Sequence, residues 1–274
     1  MFLTDLILFV LTCIVLVKSA ETLVGSLSRI ASYFKVTEFV VGFMIMAFAT
    51  SIPELFTGIS SAMESTVESP KTSLAIGNVI GANIIDLTLV IGIAAILRRN
   101  IKVETKAVRT DAVQGEFHKN LILFVISISL LFISAHFLIE YAHALALELG
   151  VPDILIGLLM ISLGTTLPEL TFETKAVLSE HQYMALGDLI GSVIANSTLV
   201  LGLTAIIFPI QTTDFVLFMT SAFFMLTIAF LFITFIEAEK HITWQEGIAL
   251  IFLYILYMIV VLTIRSLETT QVMG

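Results

Sequence analysis

Long apolar runs separated by short polar stretches dominate the pattern of this chain. Of its 274 residues, 58% are hydrophobic and 13% are charged. Several runs exceed the roughly 18 residues that a helix needs to cross a bilayer. The runs are unbroken rather than alternating with a period of two, which favours spanning helices over a β-barrel. The pattern therefore predicts an all-α polytopic membrane protein.

The apolar runs predict about eight transmembrane helices. They are expected at 2–30, 39–63, 72–97, 120–147, 151–178, 184–207, 214–237 and 244–265. The longest polar stretch lies at 98–119 and is predicted to be a linker between two halves of the chain.

The two halves resemble each other. A constant offset pairs LILFV at 6–10 with LILFV at 121–125, and ATSIPEL at 49–55 with GTTLPEL at 164–170. After one gap, GNVIGANIIDLTLVIG at 77–92 pairs with GDLIGSVIANSTLVLG at 187–202, with half of the positions identical. Glycines, prolines and acids that recur in the same order indicate an internal repeat.

These pairings predict the organisation of the chain. We expect a first repeat of three helices at 1–97, with its paired segment at 39–97, followed by the linker at 98–119. We expect a second repeat of five helices at 120–266, with its paired segment at 151–207, and a tail at 267–274.

Parity predicts that the repeats are inverted. Three helices are an odd number, so the first repeat begins and ends on opposite sides of the membrane. If the linker does not cross the membrane, the second repeat begins on the side where the first repeat ended. The distribution of Lys and Arg agrees, because most fall near one predicted face and only Lys71 and Arg265 near the other. The first group comprises Arg29, Lys35, Arg98, Arg99, Lys102, Lys106, Arg109, Lys119, Lys175 and Lys240. This predicts a protein of the cytoplasmic membrane with the linker 98–119 in the cytoplasm and both termini, including the tail, outside.

Composition excludes several other classes of function. The net charge of −9 comes with no basic tract, which argues against nucleic-acid binding. No phosphate-binding glycine motif is followed by Lys, and no Ser-His or Cys-His constellation is evident, so neither a cofactor nor an enzyme activity is predicted. Inverted repeats with helices interrupted near the midplane are instead typical of secondary transporters.

The Pro-Glu motif of each repeat supplies oxygen ligands. Pro53 lacks an N–H group, so the Ala49 carbonyl loses its helical partner. Thr50, Ser51 and Glu54 lie within about one turn of that opening. The second copy repeats this arrangement with Pro168, Gly164, Thr165, Thr166 and Glu169. Hydroxyl, carbonyl and carboxylate oxygens without His or Cys suit a hard cation such as Ca²⁺ or Na⁺.

The third helix of each repeat adds Asn78 and Asp188 at paired positions. Glycines flank both residues and are expected to let the helices approach closely. These glycines are Gly77, Gly81, Gly187 and Gly191. Glu54, Glu169 and Asp188 are then expected to share one site, and Asp86 and its counterpart Asn196 to support it from about two turns further along.

Other polar residues favour simpler interpretations. Lys18 and Glu21, three residues apart on the first helix, are predicted to form a local ion pair. His181 lies near a predicted helix end and is expected to be solvated.

At the Pro-Glu and glycine motifs the sequence resembles the cation/calcium exchanger superfamily, most closely its sodium/calcium branch. ATSIPEL and GTTLPEL resemble the family's G-[ST]-[ST]-x-P-E signature, and GNVIGAN and GDLIGSV resemble its G-N-x-x-G-S-N element. The resemblance implies that Glu54 and Glu169 are the principal Ca²⁺ ligands and that Asn78 and Asp188 close the centre of the site. It also implies flanking Na⁺ sites built by Thr50, Ser51, Thr165, Thr166 and the backbones of Ala47 and Ser162. The resemblance further implies that the helices at 2–30 and 120–147 slide across the core as the gate.

The chain departs from the family pattern at three places. Members commonly have five helices in each half, whereas the linker leaves no room for two of them in the first half. A second copy of the chain is one candidate to cover the flank that this exposes. Val193 also replaces the amide that Asn83 provides in the first repeat. Leu74 and Met184 offer no hydroxyl one turn before Asn78 and Asp188.

The leading hypothesis is a secondary antiporter that exchanges Na⁺ for Ca²⁺ by alternating access, with net movement of charge. One alternative is an antiporter that exchanges protons, or another cation, for Ca²⁺ through the same carboxylates. A more remote alternative is a passive cation channel on the same scaffold. The lipid bilayer and inorganic cations are the partners that all three readings share.

Overall fold

The structure is a computed structural model that describes residues 2–63, 65–66, 72–102, 117–148, 162–210, 215–239 and 241–273. Helix dominates these residues. The elements of the first half are α1 (Phe2–Phe34), α2 (Glu38–Val41), π1 (Gly42–Met46), α3 (Ala47–Thr50), α4 (Ile52–Met63), α5 (Thr72–Ile85), π2 (Asp86–Val90), α6 (Ile91–Arg98) and β1 (Asn100–Lys102). Those of the second half are α7 (Phe117–Glu148), α8 (Ser162–Leu178), α9 (Gln182–Ala195), π3 (Asn196–Val200), α10 (Leu201–Ile207), α11 (Phe215–Glu239), β2 (His241–Thr243) and α12 (Trp244–Met273).

Seven helices within the described residues are long and apolar enough to cross a membrane, and each coincides with a predicted span. They are Thr4–Phe34, Glu38–Met63, Ala75–Arg98, Phe117–Ser134, Gln182–Ile207, Phe215–Glu237 and Trp244–Ile264. The eighth predicted span, 151–178, falls partly outside the described residues, which resume at Ser162. The prediction of an all-α, multi-pass membrane fold is confirmed.

At two places a helix extends beyond its predicted membrane span. The tail predicted at 267–274 is helical as far as Met273, because α12 continues past its apolar segment. The linker predicted at 98–119 is shorter at its second end, because α7 already begins at Phe117. Hydropathy marks where a helix leaves the bilayer, whereas polar residues with good helix propensity extend the helix beyond that point.

A two-stranded antiparallel ladder was not predicted. Strand β1 pairs with β2, and Ile101 lies opposite Ile242 with both side chains buried. The Trp244 N–H donates to the Arg99 carbonyl at 3.1 Å, and α12 begins there with a capping box between Thr243 and Glu246. Strands of three residues beside charged helix ends are too short for alternation to reveal them.

The internal repeat is visible in the secondary structure. Helix α5 begins and ends at positions that the sequence alignment pairs with the ends of α9. The five-residue π-helical turns that follow, π2 and π3, also begin and end at paired positions. A π turn in the middle of a helix is rare and frequently lies at a functional site. Its recurrence shows that the two segments share a local conformation as well as residues.

The chain divides into two compact units that do not follow the repeats. Unit 1 comprises Met1–Thr50 and Glu104–Gly191, and unit 2 comprises Ser51–Val103 and Ser192–Gly274. Each unit therefore combines part of the first repeat with part of the second. The chain changes unit within the first Pro-Glu motif and again beside Gly191.

Unit 1 is built on the packing of α1 along α7, with α8 against both helices. Leu23 and Leu27 of α1, Leu131 of α7 and Phe172 of α8 are fully buried. Close backbone approach is the second feature of this unit. A Cβ atom at Gly187 would lie 2.2 Å from the Phe39 carbonyl oxygen.

The glycine prediction is confirmed for the second repeat only. Gly187 and Gly191 of α9 lie against the backbone between Phe39 and Phe43, as expected for small residues at a helix contact. Around Gly77 and Gly81, by contrast, no atom of the described chain lies within 4 Å of a built Cβ. The residues that the repeat would place there, near 154 and 158, lie outside the described residues.

Unit 2 has its own close contacts. Helices α6 and α12 meet at Gly92 and Gly247, where a Cβ on either residue would lie 2.8 Å from the other's carbonyl oxygen. Helices α4 and α10 meet at Gly58, whose Cβ would lie 2.5 Å from the Thr204 hydroxyl oxygen. Helix α11 packs on α5 and α12 within this unit.

We expect Gly187→Ala to lower the melting temperature of the detergent-solubilised protein by several degrees, because the new methyl group displaces the Phe39 backbone at a cost of about 1–3 kcal/mol. Gly202→Ala is the matched control, since nothing lies within 4 Å of its Cβ position. Alanine favours helix over glycine, so the control is expected to be neutral or slightly stabilising. Equal melting temperatures for the two variants would contradict the close contact.

Candidate ion-binding site

The helix that carries the first Pro-Glu motif is interrupted, as predicted. Helix α3 ends at Thr50, Ser51 is a turn residue and α4 begins at Ile52. The Leu55 N–H donates to the Ser51 carbonyl at 3.0 Å, so regular hydrogen bonding resumes just beyond Pro53. Glu54 is buried in the first turn of α4. The interruption thus places a buried carboxylate beside irregular backbone inside an apolar span.

The second motif differs from the prediction. Pro168 lies inside α8, which continues from Ser162 to Leu178 without a break. Pro168 still removes the amide that would bond to the Gly164 carbonyl, so one backbone oxygen is released without an interruption. Glu169 and Thr166 are buried. Ser162 and Thr165 belong to α8, but their side chains lie outside what the structure describes.

Three predicted ligands of unit 1 meet at the Thr50 hydroxyl. Its oxygen lies 3.2 Å from Asp188 Oδ1, 3.4 Å from the Ala47 carbonyl oxygen and 3.1 Å from the Met46 carbonyl oxygen. Thr50 and Asp188 are fully buried, and they join the second helix of one repeat to the third helix of the other. The packing of Gly187 and Gly191 against that second helix makes this approach possible.

The chemistry of this cluster favours a cation. The Thr50 hydroxyl lies among one carboxylate oxygen and two backbone carbonyl oxygens. Carboxylate, hydroxyl and carbonyl oxygens packed at this density are the set with which proteins bind hard cations. Thr50, Ala47 and Asp188, three of the residues expected to be ion ligands, thus lie close together within unit 1.

Sequence reasoning missed Glu173 in the same unit. This residue is 0% exposed and lies one helical turn after Glu169, on the same side of α8. The repeat gave no signal, because its counterpart in the first repeat is Gly58. Glu173 could still have been predicted, because it is a second carboxylate four residues after Glu169 in an apolar stretch, and such carboxylates usually have a function.

Unit 2 contains a buried amide cluster. Asn83 Nδ2 donates to the Ser197 hydroxyl at 2.9 Å, and Asn196 Nδ2 donates to Asn83 Oδ1 at 3.3 Å. Asn196 begins π3, and the buried Asp86 begins π2 at the paired position. From the sequence, Asn83 is notable only because Val193 replaces it in the second repeat, whereas in the structure its side chain links the two segments.

Asn78 and Ser51 are the predicted residues with the least supporting geometry. Asn78 is half-buried, and its amide nitrogen has no hydrogen-bond partner among the described residues. The Ser51 hydroxyl is buried and likewise has no partner in that part of the chain. Both groups therefore have hydrogen-bonding capacity left for a ligand.

Clusters of three or more His, Cys, Asp or Glu side chains that could hold a metal ion are not found within either unit of the described chain. The oxygen ligands of unit 1 are grouped around hydroxyl and carbonyl groups instead.

Charged residues at the edge of unit 1 were predicted only in part. The Lys18–Glu21 ion pair is confirmed, with an N–O distance of 3.1 Å. Lys175 of α8 also contacts Glu21, at 3.5 Å, and this contact was missed. The prediction of a solvated His181 is wrong, because its Nδ1 lies 2.8 Å from Glu38 Oε1. The Ser28 hydroxyl donates to the same carboxylate oxygen at 2.9 Å.

The chain is similar to several curated membrane proteins. The sodium/calcium exchanger MaX1 of Methanosarcina acetivorans is 24% identical, with 93% of this chain and 98% of that protein covered. The alignment extends over 349 positions, more than the 274 residues of this chain, so MaX1 contains segments that this chain lacks. The uncharacterized membrane protein MJ0091 of Methanocaldococcus jannaschii is 30% identical, with 69% of this chain and 77% of that protein covered.

Solved structures share the fold. The sodium-calcium exchanger NCX_Mj, in a crystal soaked with zero Na⁺ and Ca²⁺, superposes with a TM-score of 0.79 at 24% identity. The match covers 94% of this chain and 99% of that chain. A family profile described as "Sodium/calcium exchanger protein" matches residues 4–115 and 119–263. The chain therefore belongs to the sodium/calcium exchanger protein family.

Proposed function

We propose that this protein is a secondary antiporter that exchanges Na⁺ for Ca²⁺ across the membrane by alternating access. The observation that carries the proposal is a buried carboxylate directly after proline in each repeat, Glu54 inside a helix of membrane length and Glu169 in α8. Hard cations require such oxygen ligands, and a carboxylate in a span is rarely retained without a function. Family membership and the likeness to a relative named as a sodium/calcium exchanger support both ions as substrates.

The proposed site combines the residues of the two repeats. Glu54 and Glu169 bind Ca²⁺, and Asn78 and Asp188 complete the centre. The Na⁺ ligands are Thr50, Ser51, Thr165, Thr166 and the backbone carbonyls of Ala47 and Ser162. The cluster of Thr50, Ala47 and Asp188 supports these roles, because its oxygens already converge on one hydroxyl. Asp86 and Asn196 support the site from the paired π-helical turns.

Electrostatics supports obligatory exchange. The buried acids include Glu54, Asp86, Glu169, Glu173 and Asp188, all on helices that are rich in apolar residues. A carboxylate held in such surroundings costs several kcal/mol unless a cation or a proton neutralises it. A carrier that is unstable when empty changes conformation only when loaded, so ions do not leak through it.

The same charges favour electrogenic exchange. Three Na⁺ ions neutralise Glu54, Glu169 and Asp188, whereas one Ca²⁺ leaves a single negative charge. The two loaded states of the site therefore differ by one charge, so each exchange cycle moves one net charge across the membrane.

The orientation and assembly follow from the sequence. We propose that the segment 98–119 faces the cytoplasm and that both termini lie outside, because Lys and Arg concentrate on the linker side. A second copy of the chain is proposed to cover the flank that the two helices absent from the first half would otherwise occupy.

The proposed function is tested by ⁴⁵Ca²⁺ uptake into proteoliposomes loaded with Na⁺ at symmetric pH. A parallel set contains only an outward proton gradient, and a third contains neither gradient. Uptake that requires internal Na⁺ is expected. Uptake driven only by protons would replace Na⁺ by H⁺ as the coupling ion, and uptake in all three sets would indicate a channel.

We expect Glu54→Gln and Glu169→Gln each to reduce Na⁺-dependent Ca²⁺ uptake by about a hundredfold or more. Neutralising one carboxylate removes the charge that compensates for desolvation of a divalent cation, a loss of roughly 3–5 kcal/mol. Glu246→Gln is the control, because Glu246 only caps α12. Uptake that persists in both site variants would place Ca²⁺ binding elsewhere.

Net charge movement provides a separate test. With K⁺ and valinomycin clamping the membrane potential, we expect the rate of Na⁺-driven Ca²⁺ uptake to rise when the vesicle interior is made positive and to fall when it is made negative. Three Na⁺ leaving for each Ca²⁺ entering carry one net positive charge outwards, so uncompensated turnover would stall. Rates that do not change with the imposed potential would show that exchange is electroneutral.

A further inference from the structure

A charged group on α1 lies outside the proposed ion ligands. Lys18 and Glu21 occupy the middle of the apolar segment Thr4–Phe34. Ionisable side chains in a span almost always face protein or water, because lipid cannot solvate them. Their position needs an explanation that the exchange chemistry does not provide.

Glu21 connects two helices of unit 1. Its Oε2 lies 3.1 Å from Lys18 Nζ on its own helix, and its Oε1 lies 3.5 Å from Lys175 Nζ on α8. The exposed fraction of the side chains falls from 74% at Lys18 to 47% at Glu21 and 25% at Lys175. The contact between Glu21 and Lys175, which joins two helices, is therefore less exposed than the contact between Lys18 and Glu21 within α1.

The remaining contact surface of α1 in this unit is largely apolar. Leu23 and Leu27 of α1 and Phe172 of α8 are fully buried. Apolar contact is non-directional, so it holds the helices together without strongly fixing their register along the axis. An ion pair has a defined geometry and fixes that register. Ser28, two turns after Glu21, adds a second polar link through Glu38.

The ion pair between Glu21 and Lys175 connects α1 to α8, the helix that carries Glu169. Lys175 follows Glu169 by six residues, about 9 Å along a rigid helix. A shift of α1 by one turn, about 5.4 Å, would separate Glu21 from Lys175 completely. The pair is thus intact in one register of α1 and absent in its neighbours.

We propose that Glu21, through Lys175, is a positioning residue that holds α1 in one register against the helix bearing Glu169. Exchange then requires the pair to break and reform. The proposal rests on the proposed function only for its effect on transport. The register itself can be measured independently.

The test uses a cysteine reporter. The native Cys13 is replaced by Ser and the fully buried Ala20 by Cys, and labelling by a methanethiosulfonate reagent reports exposure of the α1 interface. Glu21→Gln, Lys175→Gln and the double variant are compared in this background. Lys18→Gln is the matched control. Like Lys175→Gln it removes one positive charge, but it breaks only a contact within α1.

We expect Glu21→Gln and Lys175→Gln each to speed labelling by about two- to fivefold, the range for a partly exposed ion pair. The double variant is expected to match either single variant, and Lys18→Gln to match the reporter protein. Glu21→Asp and Lys175→Arg, which keep the charges, are expected to restore slow labelling. In active protein, the first two variants should change the maximal exchange rate while leaving the KM for Ca²⁺ within about twofold.

Two results would overturn the proposal. Equal labelling in all variants would show that the pair does not hold the register, and additive effects in the double variant would show that the residues act separately. Should the protein show no Na⁺-dependent flux, the proposed function fails, whereas the labelling rates still decide whether the pair positions α1. If Glu21→Gln does not fold, Lys175→Gln and Lys18→Gln provide the same comparison.

Discussion

The cost of burying a carboxylate in a membrane-spanning helix governs this structure. Glu54, Glu169 and Asp188 are all buried, and lipid-facing protein cannot solvate their charge. The helices that carry the two Pro-Glu motifs release backbone oxygen beside these acids, through the turn at Ser51 and through the missing amide of Pro168. We propose that these acids and carbonyl oxygens together bind a cation. The irregular backbone and the buried carboxylates therefore occur together because both supply oxygen atoms to the proposed site.

Close helix packing brings the oxygen atoms of unit 1 together. Gly187 and Gly191 bring the backbone of α9 against that of the segment beginning at Phe39, and a side chain at either position would hold the helices apart. The same approach places Asp188 at the Thr50 hydroxyl. A glycine pair thus determines the distance between two oxygens that lie 138 residues apart in sequence.

The sequence predicted those features that follow from apolar length and from exact repetition. The membrane spans, the break before Pro53 and the burial of Glu54 and Glu169 belong to this group. Features that depend on three-dimensional neighbours escaped prediction. Glu173 has no counterpart in the first repeat, the Asn83 cluster joins segments 113 residues apart, and the ladder at Ile101 is too short for a periodic signal. Hydropathy also placed the end of α12 too early, because it reports the bilayer and not the helix.

The repeats have diverged in a direction that matters for transport. The first copy interrupts its helix at Ser51 and has Gly58 where the second copy has Glu173. The second copy keeps a continuous helix through Pro168 and pairs Glu169 with that additional buried acid. Unit 1 therefore holds Glu169, Glu173 and Asp188, while unit 2 holds Glu54 and Asp86. A perfectly symmetric carrier would give its two units equal charge. In this chain three of these five buried acids lie on the unit that also contains α1, so the two repeats contribute buried carboxylates unequally to the two units.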